Sequence, residues 1–129
     1  MRQNGFTPAF FHLDVDRAHA ARIGADVSGD LKLLRARVEA QGIPFGIIFW
    51  SDEGTSEEAY AADVLSWVQT VHAAIGEPAQ SIFQSWAVSP DGSLTVPRNL
   101  PEADPALHTH TRLLNDGLAA LRSGDTRMR

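Results

Sequence analysis

The residues of this chain that could do chemistry are carboxylates, indoles and a histidine set at short, regular spacings. His12, Asp14 and Asp16 recur every second residue, which places all three on one face of an extended segment. Asp52 and Glu53 follow Trp50-Ser51 at the end of an apolar run, and Gln84 and Trp86 close a third run. Two carboxylates flanking a bond suit glycoside hydrolysis, in which one protonates the leaving oxygen while the other attacks or activates water. Indole rings such as Trp50 and Trp86 suit the same substrates, because an aromatic face lies flat on the apolar face of a sugar ring and excludes water. The competing reading is plain structure: acids cap and start helices, and Trp50 and Trp86 fill a core.

The elements that must position these groups are legible from apolar patterning. Residues 9 to 15, 45 to 50 and 81 to 87 are short and rich in strand-forming residues. Phe45 to Trp50 is apolar without alternation, the pattern of a central parallel strand covered on both faces. Between the strands, Val27, Leu31, Leu34 and Val38 form one helical stripe, predicting a helix over 28–41 that Gly42 and Pro44 terminate. Tyr60, Val64, Trp67, Val68, Val71 and Ile75 form another, over 56–75, with Thr55 and Glu58 as a capping box. Pro90-Asp91-Gly92 reads as a turn into a short strand at Leu94-Thr95-Val96. Asp104 with Pro105 opens a last helix over 105–122.

Strands beginning at residues 9, 45 and 81 and alternating with helices predict an α/β class with three consecutive parallel βα units. Residues 1–8 are a lead-in, 9–122 the domain and 123–129 a frayed tail. Three parallel strands leave open edges, which predicts either the C-terminal part of a (βα) barrel whose earlier units lie outside this sequence, or self-association through those edges. In parallel α/β folds ligands gather at the carboxyl ends of strands. There Asp14 or Asp16 would stand within roughly 5 to 10 Å of Asp52 or Glu53, since adjacent strands lie about 5 Å apart.

Composition narrows the partners. With 129 residues, the chain makes one domain at most, and 43% apolar residues suffice for a core. Eleven basic against sixteen acidic residues give a net charge of −5 with no basic stripe, which argues against nucleic acid and anionic membranes. Cysteine is absent, excluding thiol catalysis and thiolate metal sites but leaving the compartment unassigned. No signal peptide or membrane-spanning run is evident in the chain as given. His108 and His110 lie two apart at a helix start and so point in different directions, which gives no metal site. No dinucleotide or phosphate loop is present, and no cofactor is expected.

The segments Phe11-His12-Leu13-Asp14-Val15-Asp16, Ile47-Ile48-Phe49-Trp50-Ser51 and Ile82-Phe83-Gln84-Ser85-Trp86 resemble the last three strands of a TIM-barrel glycoside hydrolase. The resemblance, one of style across residues 9 to 122, implies the C-terminal part of a (βα)8 barrel. It also implies a carbohydrate as ligand, a sugar-lining role for Trp86, and a nucleophile near Asp52 or Glu53. In that family the nucleophile lies within the strand end, whereas these two acids follow Ser51, and the family's general acid belongs to a strand this chain does not contain. Two functions follow as expectations. One is a glycosidase using Asp14, Asp16, Asp52 or Glu53 as acid, base or nucleophile, with His12, Trp50, Gln84 and Trp86 binding substrate. The other is a non-catalytic carbohydrate-binding or scaffolding protein. Asp14 is the preferred carboxylate, because it lies within a strand where its rotamer can be locked.

Overall fold

Residues 5–85 and 109–123 are described in the structure, a computed structural model. The element order is β1 (Phe11–Asp14), α1 (Arg17–Arg22), α2 (Val27–Glu39), β2 (Phe45–Phe49), α3 (Glu57–Ile75), β3 (Gln80–Phe83) and α4 (His110–Ser123). The three strands form one parallel sheet in sequential order, β1-β2-β3. Its register sets Leu13 beside Ile47 and Ser81, and His12 beside Gly46 and Gln80.

That register divides the sheet into two unlike faces. Phe45, Ile47 and Phe49 of β2 are fully buried, joined by Phe11, Leu13 and Phe83 from the flanking strands. They pack against Leu31 and Val38 of α2, the whole expected stripe of α3, and Leu113, Ala120 and Leu121 of α4. Phe49 meets Phe83 in a stacked contact and Trp67 edge-on. Trp67 is therefore core, as its place on the α3 stripe predicts.

The opposite face carries His12, Asp14, Gly46, Ile48, Trp50, Gln80 and Ile82. Ile48 is only half-buried and belongs to no core cluster, so the expectation of a β2 covered on both faces is corrected. The run Ile47-Ile48 lacks alternation because this face holds an isoleucine between a glycine and a tryptophan, and among the described residues the core helices α2, α3 and α4 pack on the other face. Gly46 is needed here for close approach: a Cβ would stand 2.7 Å from the His12 ring and 2.9 Å from the Gln80 carbonyl. His12 and Gln80 meet across it, Nε2–H of the ring donating to the amide oxygen at 2.5 Å, while Phe10 stacks on the other side of the imidazole.

Several local expectations are corrected. Strand β1 closes at Asp14, and Asp16 turns away to cap α1, a six-residue helix absent from the sequence reading. Helix α3 is capped by the Ser56 hydroxyl, which accepts from Ala59 N–H, in place of a Thr55–Glu58 box. Asp26 caps α2, and Gly42 follows it at φ 74, the left-handed stop that the sequence predicts. Helix α4 runs from His110 to Ser123, with Thr109 accepting from Arg112 N–H, a later start than the expected 105, and Asp104 and Pro105 lie outside the described residues. Strand β3 ends at Phe83, short of 87. Trp86, His108 and the expected hairpin at 90–96 lie outside the described residues. Among those described, no helix is long and apolar enough to cross a membrane.

Because neither the Gln80 carbonyl nor the sheet register can yield, Gly46→Ala is expected to destabilise the fold by about 1–3 kcal/mol, the usual cost of overpacking. Urea unfolding followed by far-UV circular dichroism measures it.

Candidate functional site

The carboxyl ends of β1 and β2 hold a connected set of polar contacts. Trp50, the first residue beyond β2, donates its indole N–H to Asp14 Oδ1 at 2.5 Å. The bond crosses from one strand end to the next and joins two groups that the strand register places on the same face. Behind it, Arg17 Nη2 donates to the Trp50 carbonyl at 2.8 Å and to Asp63 Oδ2 at 2.6 Å, while Nη1 reaches Asp63 Oδ1 at 3.3 Å. The guanidinium also lies over the Trp67 ring, 5.5 Å from its centroid. Ser51, fully buried, donates to Asp63 Oδ2 at 2.5 Å and accepts from Glu53 N–H at 2.9 Å. Tyr60 closes the network below, its hydroxyl donating to the Gln84 carbonyl.

These contacts wall a cavity of about 270 Å³ lined by Val15, Arg17, Ala18, Trp50, Ser51, Asp52, Glu53 and Asp63. Asp52 and Glu53 are exposed at its rim, beyond the strand and before α3.

Electrostatics inside the network is set by partners. For Asp63, burial pushes the carboxyl up, but hydrogen bonds from Arg17 and Ser51 and the charge of Arg17 outweigh it and hold the group below the usual 3.8. Burial pushes the Tyr60 hydroxyl above 10.0, and the Asp63 charge adds to this. Hydrogen bonding with the Ser51 backbone and the Ser85 side chain and the charge of Arg17 oppose it and are outweighed.

The sequence-predicted residues are thus dispersed. Asp14 and Trp50 meet. His12 shares their face but is engaged by Gln80, one strand layer toward the amino end of the sheet. Asp52 and Glu53 line the cavity together with Trp50. Asp16 accepts from His19 N–H at 2.9 Å and is spent as a helix cap. Gln84 lies past the end of β3, its backbone N–H bonded to the Phe49 carbonyl at 3.0 Å. His110 bonds through Nε2 to the Phe83 carbonyl at 3.2 Å, and no cluster of three metal-ligating side chains occurs among the described residues.

Arg17, Ser51 and Asp63 were missed as a group. One signal was available: Asp63 falls three residues after Tyr60 and four before Trp67, so a charge stands at the edge of the most apolar stripe in the chain. Comparison with protein-family models, curated proteins and solved structures finds no match for this chain.

The Asp63 carboxyl, held below its unfolded value, adds stability that is present above about pH 3.8 and is lost as pH falls through its folded value. Asp63→Asn is therefore expected to lower stability near neutral pH, and the gap from wild type should narrow as pH falls below about 4. Urea midpoints across that range measure the difference.

Proposed function

We propose that this chain forms part of a (βα)8 barrel of the glycoside-hydrolase kind and binds a carbohydrate at the carboxyl ends of β1 and β2. The observation that carries the reading is the bond from the Trp50 indole to Asp14, an aromatic ring fixed beside a carboxylate where parallel α/β folds take ligands. Among the described residues Asp14 Oδ2 has no partner, so it remains for a sugar hydroxyl while Trp50 supplies the apolar platform. Asp52 and Glu53 extend the acceptor surface into the adjoining cavity.

The barrel reading is supported by sequential strand order with α2, α3 and α4 all in the core on one face of the sheet. A doubly wound fold would divide the helices between both faces. It is also supported by the surface beside β1, where Leu13, Val15, Ala20, Val27, Leu31 and Leu34 line an apolar groove. In a barrel the preceding βα unit covers that position. The non-catalytic alternative is favoured by one observation: Asp14 alone of the four candidate acids is held by a side chain, since Asp16 caps α1 and Asp52 and Glu53 stand exposed.

Trp fluorescence titration with cellohexaose, xylohexaose and chitohexaose is expected to show saturable binding of at least one. Trp50→Ala should weaken that binding about tenfold, the equivalent of ~1.4 kcal/mol. Where reducing ends are released, Asp14→Asn should slow their release by about 10²-fold or more, as loss of a proton-transfer group does. Binding without release would select the binding-module reading, and no binding to any of the three would remove the carbohydrate. The β1 edge, unpaired among the described residues, also predicts association, read as a scattering mass that rises with concentration above 14.0 kDa.

A further inference from the structure

Asp14 and Arg17 lie three residues apart on the short segment that leaves β1, and both grip the same residue of the neighbouring strand end. Asp14 holds Trp50 by its side chain, through the indole N–H at 2.5 Å. Arg17 holds it by its backbone, through the carbonyl at 2.8 Å. The last β1 residue in the ladder, Asp14, pairs with Ile48, so the carbonyl of Trp50 lies past the point where β1 can bond it. Without a donor the residue would have neither a strand partner nor a fixed orientation. Arg17 supplies the donor, and its own position is fixed in turn by Asp63 and by the face of Trp67.

We infer that Arg17 is a positioning residue, setting the orientation of the Trp50 ring against Asp14 through a two-point grip anchored on Asp63. A merely structural role predicts something different. The ion pair is partly open to solvent, with side chains 24% and 37% exposed, and pairs of that kind contribute little to global stability. The core of β2, α2, α3 and α4 contains neither partner. The geometry therefore concentrates the effect of Arg17 at Trp50. Lysine at this position would keep the charge but lacks the planar fork needed to reach the Trp50 carbonyl and both Asp63 oxygens together. The same grip also explains Ser51: its hydroxyl donates to the same Asp63 oxygen as Arg17 Nη2 and ties the turn after Trp50 by accepting from Glu53 N–H.

The inference gives the proposed carbohydrate site its positioning element and rests on that reading only for its consequence in binding. Its test on the full chain has two readouts. The first needs no ligand: the ¹⁵N-labelled indole N–H of Trp50, assigned by its loss in Trp50→Phe, should exchange slowly in the wild type. In Arg17→Lys it should exchange about tenfold or more faster, while the backbone amides of Val64, Val68 and Val71 keep their protection. Asp63→Asn, which loosens the anchor, should move the same signal in the same direction by less, and it provides the test if Arg17→Lys fails to fold. The second readout is affinity for whichever oligosaccharide binds the wild type, expected to fall about tenfold in Arg17→Lys. An unchanged Trp50 indole in a folded Arg17→Lys or Asp63→Asn protein overturns the inference, as does an equal loss of protection across α3. If the wild type binds no sugar, the proposed function falls while the indole readout still decides the role of Arg17.

Discussion

The period-two geometry of β2 is the constraint from which the rest of the structure follows. Because successive side chains leave the central strand on opposite sides, Phe45, Ile47 and Phe49 must go to one face and Gly46, Ile48 and Trp50 to the other. The first set gives the helices their seat, with Tyr60, Val64, Trp67, Val68 and Val71 of α3 packed over it. The second set fixes what the opposite face can carry. Glycine at 46 lets His12 and Gln80 meet across the strand, and tryptophan at 50 lies one step beyond the ladder, where its ring can reach Asp14. A slip of one residue would bury Gly46, Ile48 and Trp50 and expose Phe45, Ile47 and Phe49, so core packing and site geometry are held by the same register.

Most of the α/β frame was readable because it rests on burial, and burial leaves periodic traces. The α3 stripe, the Val27 to Val38 stripe and the three strand segments follow directly from apolar spacing, as does the parallel sequential order. The parts that escaped have no such trace. Helix α1 buries only Ala20 and is stabilised by the Asp16 cap, a contact any acid before a polar stretch could make. Ser56 and Thr55 are adjacent hydroxyls, and only backbone geometry decides which accepts the helix N–H. The coverage of Ile48 depends on what lies above the sheet, which the residues of the strand do not encode. In the candidate site, Asp14 and Trp50 were legible from strand phase alone. Arg17, Ser51 and Asp63 come from three separate elements, and only the fold reveals that they meet.

Four buried or half-buried polar side chains share one task, closing carbonyls that strand and helix ends leave open. Arg17 donates to Trp50 at the end of β2, Tyr60 to Gln84 beyond β3, His110 to Phe83 at the end of β3, and Arg35 to Ile75 at the end of α3. A carbonyl left unpaired away from water would cost about 1–3 kcal/mol, whereas one at a half-exposed strand end such as that of Trp50 would turn to water and lose its fixed orientation. The donors are therefore explained by the carbonyls they meet, and the acidic partner Asp63 by the need to hold the most strongly charged of them in place.

This division of labour narrows the chemistry left for a ligand. With both terminal nitrogens of Arg17, the Tyr60 hydroxyl and the Ser51 hydroxyl already donating within the protein, the groups that remain at the cavity and the adjoining strand end among the described residues are acceptors: Asp14 Oδ2, Asp52 and Glu53. A site of carboxylates beside an indole ring repels phosphates and carboxylic acids and rewards molecules that bring several hydrogen-bond donors around an apolar face. Sugars have that form, with hydroxyls at the ring edge and C–H bonds on its face. The carbohydrate reading therefore draws on which hydrogen-bonding groups the fold leaves unspent as well as on the presence of acids and a tryptophan.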